Sequence, residues 1–331
     1  MLTSRENFLA TLSGDGPEYL VNQYEPFVPI MCDPLSRYTR GNRVRGSVSK
    51  DRWGTTIAFP VDQHAAMPHV TDDNKVLPDI TEWREYVKVP DIVANCTDGW
   101  EDAIKQASEV NRKEKLVMGF MGTGIFEQLH FLMGFEDTLC NFLTEPEAMD
   151  ELIQVVFEYR FTYAKMLIEN LKPDIILSHD DWGEKRRLFM SPEIWRKFLK
   201  PRYAEFYGYM RDHGVITMHH ADSNLTGIVS DMAEIGIQVW QGVLPQNDIP
   251  AMKKELNGKM TLMGGIDAAV VDSANTTEET IRNEVRRCCD AYAPGGFFIP
   301  SQTYGLSGSI FPHVDPIITD EISKLSPKYF K

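Results

Sequence analysis

Seven short apolar, β-branched runs separated by amphipathic stretches constrain this 331-residue chain more than any other feature. They read EPFVPIM (25–31), LVMGFM (116–121), DIILSHD (174–180), VITMHHA (215–221), IQVWQGV (237–243), MTLMGGID (260–267) and GFFIPSQ (296–302). Strand, helix, strand at this rhythm builds right-handed βαβ units and a parallel sheet. Six or seven such units in one chain of this length favour a closed (β/α)8 TIM barrel over an open sheet. No G-x-G-x-x-G follows the first run, which argues against a dinucleotide-binding fold. The expectation is one barrel domain over residues 1–331. An N-terminal extension and cap fall within about residues 1–100, and residues 35–100 form its irregular part.

The helical stretches carry their own punctuation. FEDTLCNFLTEPEAMDELIQVVFEYRFTYAKMLIENL is broken near Pro146, and EETIRNEVRRCCDAY covers 278–292. In MSPEIW, Ser191 is placed as N-cap and Pro192 at the first helical position. Pro201 interrupts that helix and Gly214 closes it. Glu205 is thereby expected in the first turn of the restarted helix, at the edge of its apolar stripe.

The formal net charge is −14. That argues against a nucleic-acid binder, which needs a basic stripe, and against docking on an anionic membrane. There is no signal peptide pattern and no run near the ~20 apolar residues of a membrane span. Five cysteines without a C-x-x-C pair point to a reducing, cytoplasmic setting without a disulfide framework.

In a barrel, chemistry collects at the carboxyl ends of the strands. The third run ends in His179, Asp180, Asp181, Trp182, Gly183 and Glu184. The fourth ends in His219, His220, Ala221 and Asp222. Gln241, Asp267, Ser301, Gln302 and Tyr304 follow the later runs. Carboxylates with imidazoles suit a zinc ion with an open catalytic position. Successive strand residues face opposite ways. So only one of His219 and His220 points into the barrel, and the other is left to orient it. Each residue has a plainer reading: Asp180 and Asp181 as helix caps, Glu205 as a helix N-terminal acid, Trp182 and Trp240 as core.

DDWGEKRRLFMSPEIWRKFLKPRYAEF resembles the D-S-W-G … L-S-P-x-x-F-x-x-F-x-x-P-Y segment of the uroporphyrinogen decarboxylase superfamily. MHHADSN stands where that superfamily carries H-x-C-G-N, and TLMGGIDAAV resembles its G-N-[IL]-D-P. TSRENFLATLSGDGPEY, DRWGTTIAF (51–59) and GFEDTLCNFLTEPEAMDELI also fit. The likeness covers nearly the whole chain and implies a (β/α)8 barrel. The arginine-rich R-Q-A-G-R motif of true decarboxylases is absent; SRYTRGNRVRG (36–46) is basic without matching it. Zinc-binding cysteines of the methanol and methylamine methyltransferases are also missing, with His219-His220-Ala221 at the H-x-C position.

The branch resembled most is the methyltransferase component of aromatic-ether O-demethylases. It implies methyl transfer from a guaiacol- or veratrol-type ether to the Co(I) of a corrinoid protein. It also implies a zinc ion (or another divalent metal) held by Glu184, Glu205 and His220. On this reading Asp181, His219 and Tyr304, in that order, are candidates for the acid that protonates the leaving phenolate. Asp180, Trp182, Gln241 and Asp267 line the cofactor side. Asp180 orients a ligand histidine, and Trp182 with Trp240 sandwiches the ring. A homodimer is common in the superfamily. Methanol or a methylamine as donor, porphyrinogen decarboxylation, and a non-catalytic corrinoid or tetrapyrrole binder are the alternatives.

Overall fold

The computed structural model describes residues 1–41, 43–63, 65–306 and 308–330. Its strands are β1 (Phe27–Ile30), β2 (Ser47–Lys50), β3 (Thr56–Phe59), β4 (Met67–Pro68), β5 (Leu116–Met121), β6 (Ile175–His179), β7 (Ile216–His220), β8 (Val239–Val243), β9 (Thr261–Ile266) and β10 (Phe298–Gln302). The seven apolar runs are β1 and β5 to β10. They pair in the order β1-β5-β6-β7-β8-β9-β10, every ladder parallel.

The sheet wraps on itself. Phe27, Met118, Leu177, Met218, Val239, Met263 and Ile299 come from seven different strands yet form one buried cluster. That is the packed interior of a TIM barrel. Phe8 of the helix Ser4–Ser13, with Val21 and Tyr24, joins this cluster from the N-terminal segment. Among the described residues no ladder joins β10 to β1. Gln23 spans that seam by accepting the Gln302 N–H (3.3 Å), and the Tyr24 hydroxyl donates to the Tyr304 carbonyl (3.2 Å).

The outward strand residues pack under helices, as βαβ winding requires. Helices Phe135–Thr144 and Pro146–Leu171 meet at the expected break. Ser191 caps Pro192–Phe198, and the chain restarts as Lys200–Asp212. Glu205 is the sixth residue of that restarted helix, in its second turn rather than its first, because the helix begins at Lys200. β2, β3 and β4 form a small antiparallel sheet within residues 47–68. No described helix is long and apolar enough to cross a membrane.

Candidate metal centre at the barrel mouth

Period-two alternation decides which side chains reach the mouth. Ile175, Leu177 and Met218 belong to the interior cluster, so His179 and His220, two residues further along, also face inward. They are register partners, and their rings stack with centroids 4.5 Å apart. Gln241 is paired with His220 in the next strand and follows the inward Val239.

One ligand atom each from His179, Asp181 and His220 lies within 4.8 Å of the others. His179 Nε2 is 3.9 Å from Asp181 Oδ2. Both imidazoles are oriented from behind. His179 Nδ1–H donates to the buried Glu127 carboxylate (2.8 Å). Gln241 Nε2 donates to the Tyr304 carbonyl (2.8 Å), which leaves its Oε1 to accept from His220 Nδ1–H (2.5 Å). The Nε2 atoms of both rings are thereby left as the lone-pair donors. Two imidazoles and a carboxylate suit a divalent ion such as zinc, with a fourth position for substrate, and carboxylate- or amide-held imidazoles are the usual support for such a set. The residues present therefore fit a metal.

Gly242 belongs to this construction. It sits in the irregular part of β8 at φ +95°, and a Cβ there would lie 2.9 Å from the Ala221 carbonyl and 3.0 Å from the His220 ring.

Burial lowers the pKa of His179, but Glu127 and Asp181 outweigh it and raise it to about 9. Burial brings His220 down to about 3, so that ring is neutral. A metal must displace the proton on His179. Asp181, which burial holds well above the ordinary carboxyl range, must likewise be ionised to bind, so zinc affinity is expected to rise by about tenfold or more per pH unit between pH 6 and 8. Competition titrations at pH 6, 7 and 8 would measure this, and a flat profile would contradict it.

The ligand set expected from the sequence is not assembled. His220 takes its place. Glu205 is exposed, because Tyr203, Phe206, Tyr207 and Met210 occupy the inward face of its helix. Glu184 is half-buried in the loop after β6, where its backbone pairs with Arg187 and Asn224, and it lies outside the converging group.

His219 faces the helices, as alternation requires. Its Nδ1 accepts from the Tyr207 hydroxyl (2.7 Å), its Nε2–H donates to the Asp180 carbonyl (3.1 Å), and Trp182 stacks on it at 4.0 Å. Both nitrogens are engaged and the ring is fully buried, so it packs and is no acid.

Asp180 is also structural. Its fully buried carboxylate accepts from Phe126 N (3.1 Å), Glu127 N (3.0 Å), Trp182 Nε1 (2.8 Å) and Tyr203 Oη (2.6 Å). It therefore holds the N-terminus of helix Ile125–Met133, which carries Glu127. Trp182 and Trp240 are fully buried in the shell outside the sheet and cannot sandwich a ligand at the mouth. Gln241 orients His220 rather than a cofactor.

A cleft of about 490 Å³ opens beside the centre, lined by Asp181, Glu184, Phe189, Leu244, Asp272 and Tyr304 among others. Asp267 also lines it while capping the short helix Ala268–Val271. Burial first, and then the Asp272 carboxylate, holds the Tyr304 hydroxyl well above the ordinary tyrosine range, so it stays protonated.

Two residues of this centre were not selected from the sequence. His179 was visible at a strand end, and counting inward positions from Leu177 would have chosen it. Glu127 had no local signal, because only the cap made by Asp180 brings its helix to β6.

A family model described as Uroporphyrinogen decarboxylase (URO-D) matches residues 52–316. Two proteins named uroporphyrinogen decarboxylase from Legionella pneumophila, strains Corby and Lens, are 22% and 24% identical over 311 residues, covering 91% of this chain and 83% of theirs. A solved structure titled as a methyltransferase from Methanosarcina mazei superposes with a TM-score of 0.70 at 15% identity, over 98% of this chain and 99% of that one. This last likeness is one of fold.

Proposed function

We infer the activity from the premise that this chain belongs to the uroporphyrinogen decarboxylase family, and we propose that it is a methyltransferase taking a methyl group from an aryl methyl ether to the Co(I) of a separate corrinoid protein. The observation carrying this reading is the convergence of His179, Asp181 and His220 beside a cleft walled by Phe189, Leu244 and Tyr304. The methyltransferase name of the Methanosarcina mazei fold neighbour agrees with it.

His179, Asp181 and His220 would hold the metal, and Glu127 and Gln241 fix the two rings. A bound divalent ion would supply Lewis acidity to the ether oxygen. Phe189, Leu244 and Tyr304 would contact the aryl ring, in a cleft that Asp181, Glu184, Asp222, Asp267 and Asp272 also line. The methyl carbon would pass to Co(I) of the corrinoid protein, whose electron pair forms the Co–C bond and leaves Co(III), while the pair of the broken C–O bond stays on the departing phenolate. Tyr304, held protonated beside Asp272, serves as wall rather than base. Asp181 is used as a ligand, so the acid role first considered for it is not needed.

The test is anaerobic. Zinc-loaded protein is mixed with cob(I)alamin and guaiacol, and the visible spectrum is followed for methylcobalamin. Formation that a chelator abolishes is the expected result. Methylation with methanol or a methylamine, but not with guaiacol or veratrol, would replace the donor. The names of the Legionella relatives favour a second reading, porphyrinogen decarboxylation. Carbon dioxide release from uroporphyrinogen, with no methylcobalamin from any donor, would establish it over the first.

A further inference from the structure

We propose that the barrel seam between β10 and β1 holds a binding site for a monovalent metal cation, sodium or potassium. The site is separate from the centre at the mouth and does not depend on the methyl-transfer reading.

No ladder among the described residues joins the two strands. A cavity of about 230 Å³ lies at this seam, lined by Asn22, Gln23 and Gln302, and by Asp315 and Thr319 of helix Val314–Leu325. Asn22 is 8% exposed and Gln302 is 3% exposed. The Oδ1 of the first and the Oε1 of the second accept no hydrogen bond. Their amide nitrogens are spent. Asn22 Nδ2 donates to the Thr319 carbonyl (2.8 Å) and to Ser323 Oγ (3.0 Å), and Gln302 Nε2 donates to Ser309 Oγ (2.6 Å). The Thr319 carbonyl can only accept, which fixes the Asn22 amide with its oxygen as the free end.

The other donors along the wall are also taken. Gln23 Nε2 donates to Asp315 Oδ1 (3.0 Å), the Tyr24 hydroxyl to the Tyr304 carbonyl (3.2 Å) and the Ser301 hydroxyl to the Gln302 carbonyl (2.9 Å). Among the described residues Asp315 receives no other hydrogen bond and forms no ion pair. Glu25, the second acid of the wall, faces Lys115 at 3.8 Å. Two buried amide oxygens and one carboxylate are therefore left as acceptors without donors.

Buried polar groups are paired, and an acceptor left without a donor is costly. A water molecule can donate to the two amide oxygens, but it leaves the carboxylate's charge uncompensated. A cation answers all three. Hard oxygen ligands suit alkali and alkaline-earth ions. One carboxylate with two neutral amides supplies a single negative charge, which matches a monovalent ion. The cavity also has room for the waters such an ion keeps.

The position gives the ion a purpose. Across the seam a single side chain, Gln23, links the Gln302 N–H (3.3 Å) to Asp315. A cation adds a second link between the strand end and the helix. It braces the chain leaving β10, where the Tyr304 carbonyl holds Gln241 behind His220.

The melting temperature of the full-length, zinc-loaded protein is measured in sodium, potassium and choline chloride at equal ionic strength, and in choline chloride with calcium added. Equal ionic strength cancels surface screening. At least one alkali ion is expected to give a saturable rise of about 3 °C over choline, and the larger rise identifies the preferred ion. Asp315→Asn keeps an acceptor for Gln23 and removes the charge, so it is expected to lose the rise. Gln302→Glu adds a second carboxylate and is expected to shift the preference to calcium. Circular dichroism reports whether each variant is folded.

Equal melting temperatures of the wild type in the three chloride salts overturn the proposal. A rise that the folded Asp315→Asn protein keeps in full overturns the site. Stabilisation of the wild type by calcium, with none from sodium or potassium, overturns the ligand class. None of these readouts involves methyl transfer, so failure of that reading leaves the site standing, and failure of the site leaves methyl transfer untouched.

Discussion

His220→Ala is expected to lower the rate of methylcobalamin formation by about 10³-fold or more, the scale at which removing metal assistance or a comparable electrostatic stabiliser acts. The reason lies in how completely the ring is committed. His220 is 3% exposed, its Nδ1 is bound to Gln241, and its Nε2 is one of three donors within 4.8 Å. No described neighbour can replace it, because His219 on the opposite face has both nitrogens engaged. Gln241→Leu is expected to be milder, about 10- to 100-fold in metal affinity, since it frees the ring without deleting it. Steady-state rates at saturating zinc separate the two: the Gln241 variant should recover with added metal and the His220 variant should not. Recovery of both would place the ligand elsewhere.

Asp180→Ala is expected to cost about 4 kcal/mol of stability, from leaving four buried donors without their acceptor at roughly 1 kcal/mol or more each. That is a large share of the ~5–15 kcal/mol a domain possesses. Asp180→Asn retains one acceptor oxygen and should lose about half as much. Gly124 supplies an independent check. A Cβ at that position would sit 2.0 Å from Asp180 Cβ and Cγ. Gly124→Ala must therefore push helix Ile125–Met133 off its cap, with a cost of about 3 kcal/mol or more. Urea unfolding of the three variants measures these losses. An Asp180→Ala protein as stable as wild type would mean that the carboxylate is not the organising acceptor, and that Glu127 is positioned by other contacts.

Much of the barrel was legible because its information is local. Period-two apolar runs, Pro146, Ser191–Pro192 and Pro201 each act within a few residues, and all lie where the sequence places them. That the paired histidines face opposite ways was legible for the same reason, and the interior cluster of Ile175, Leu177 and Met218 then identifies His220 as the inward one.

The ligand set was less legible. Glu205 was carried over from a family resemblance, whereas the face its helix buries is decided by Tyr203, Phe206, Tyr207 and Met210 packing against the sheet. Asp180 and Trp182 share a strand-end segment with Asp181, and sequence proximity cannot say that one acid serves a helix cap and the next the mouth. A small cavity lined by Arg40, Arg43 and Arg160 is the most distant case. Arg40 and Arg43 lie between β1 and β2 and Arg160 lies on helix Pro146–Leu171, so only tertiary packing brings the three guanidiniums together.

The central claim, that His179, Asp181 and His220 form the metal centre, is tested most directly by zinc-edge X-ray absorption on the protein reconstituted with one zinc. The expected spectrum has two imidazole nitrogens and carboxylate or water oxygens at about 2.0–2.2 Å with no sulfur, unchanged in the Glu184→Ala/Glu205→Ala double variant. A spectrum with one imidazole that collapses in that double variant would contradict the account and restore the ligand set of the family resemblance.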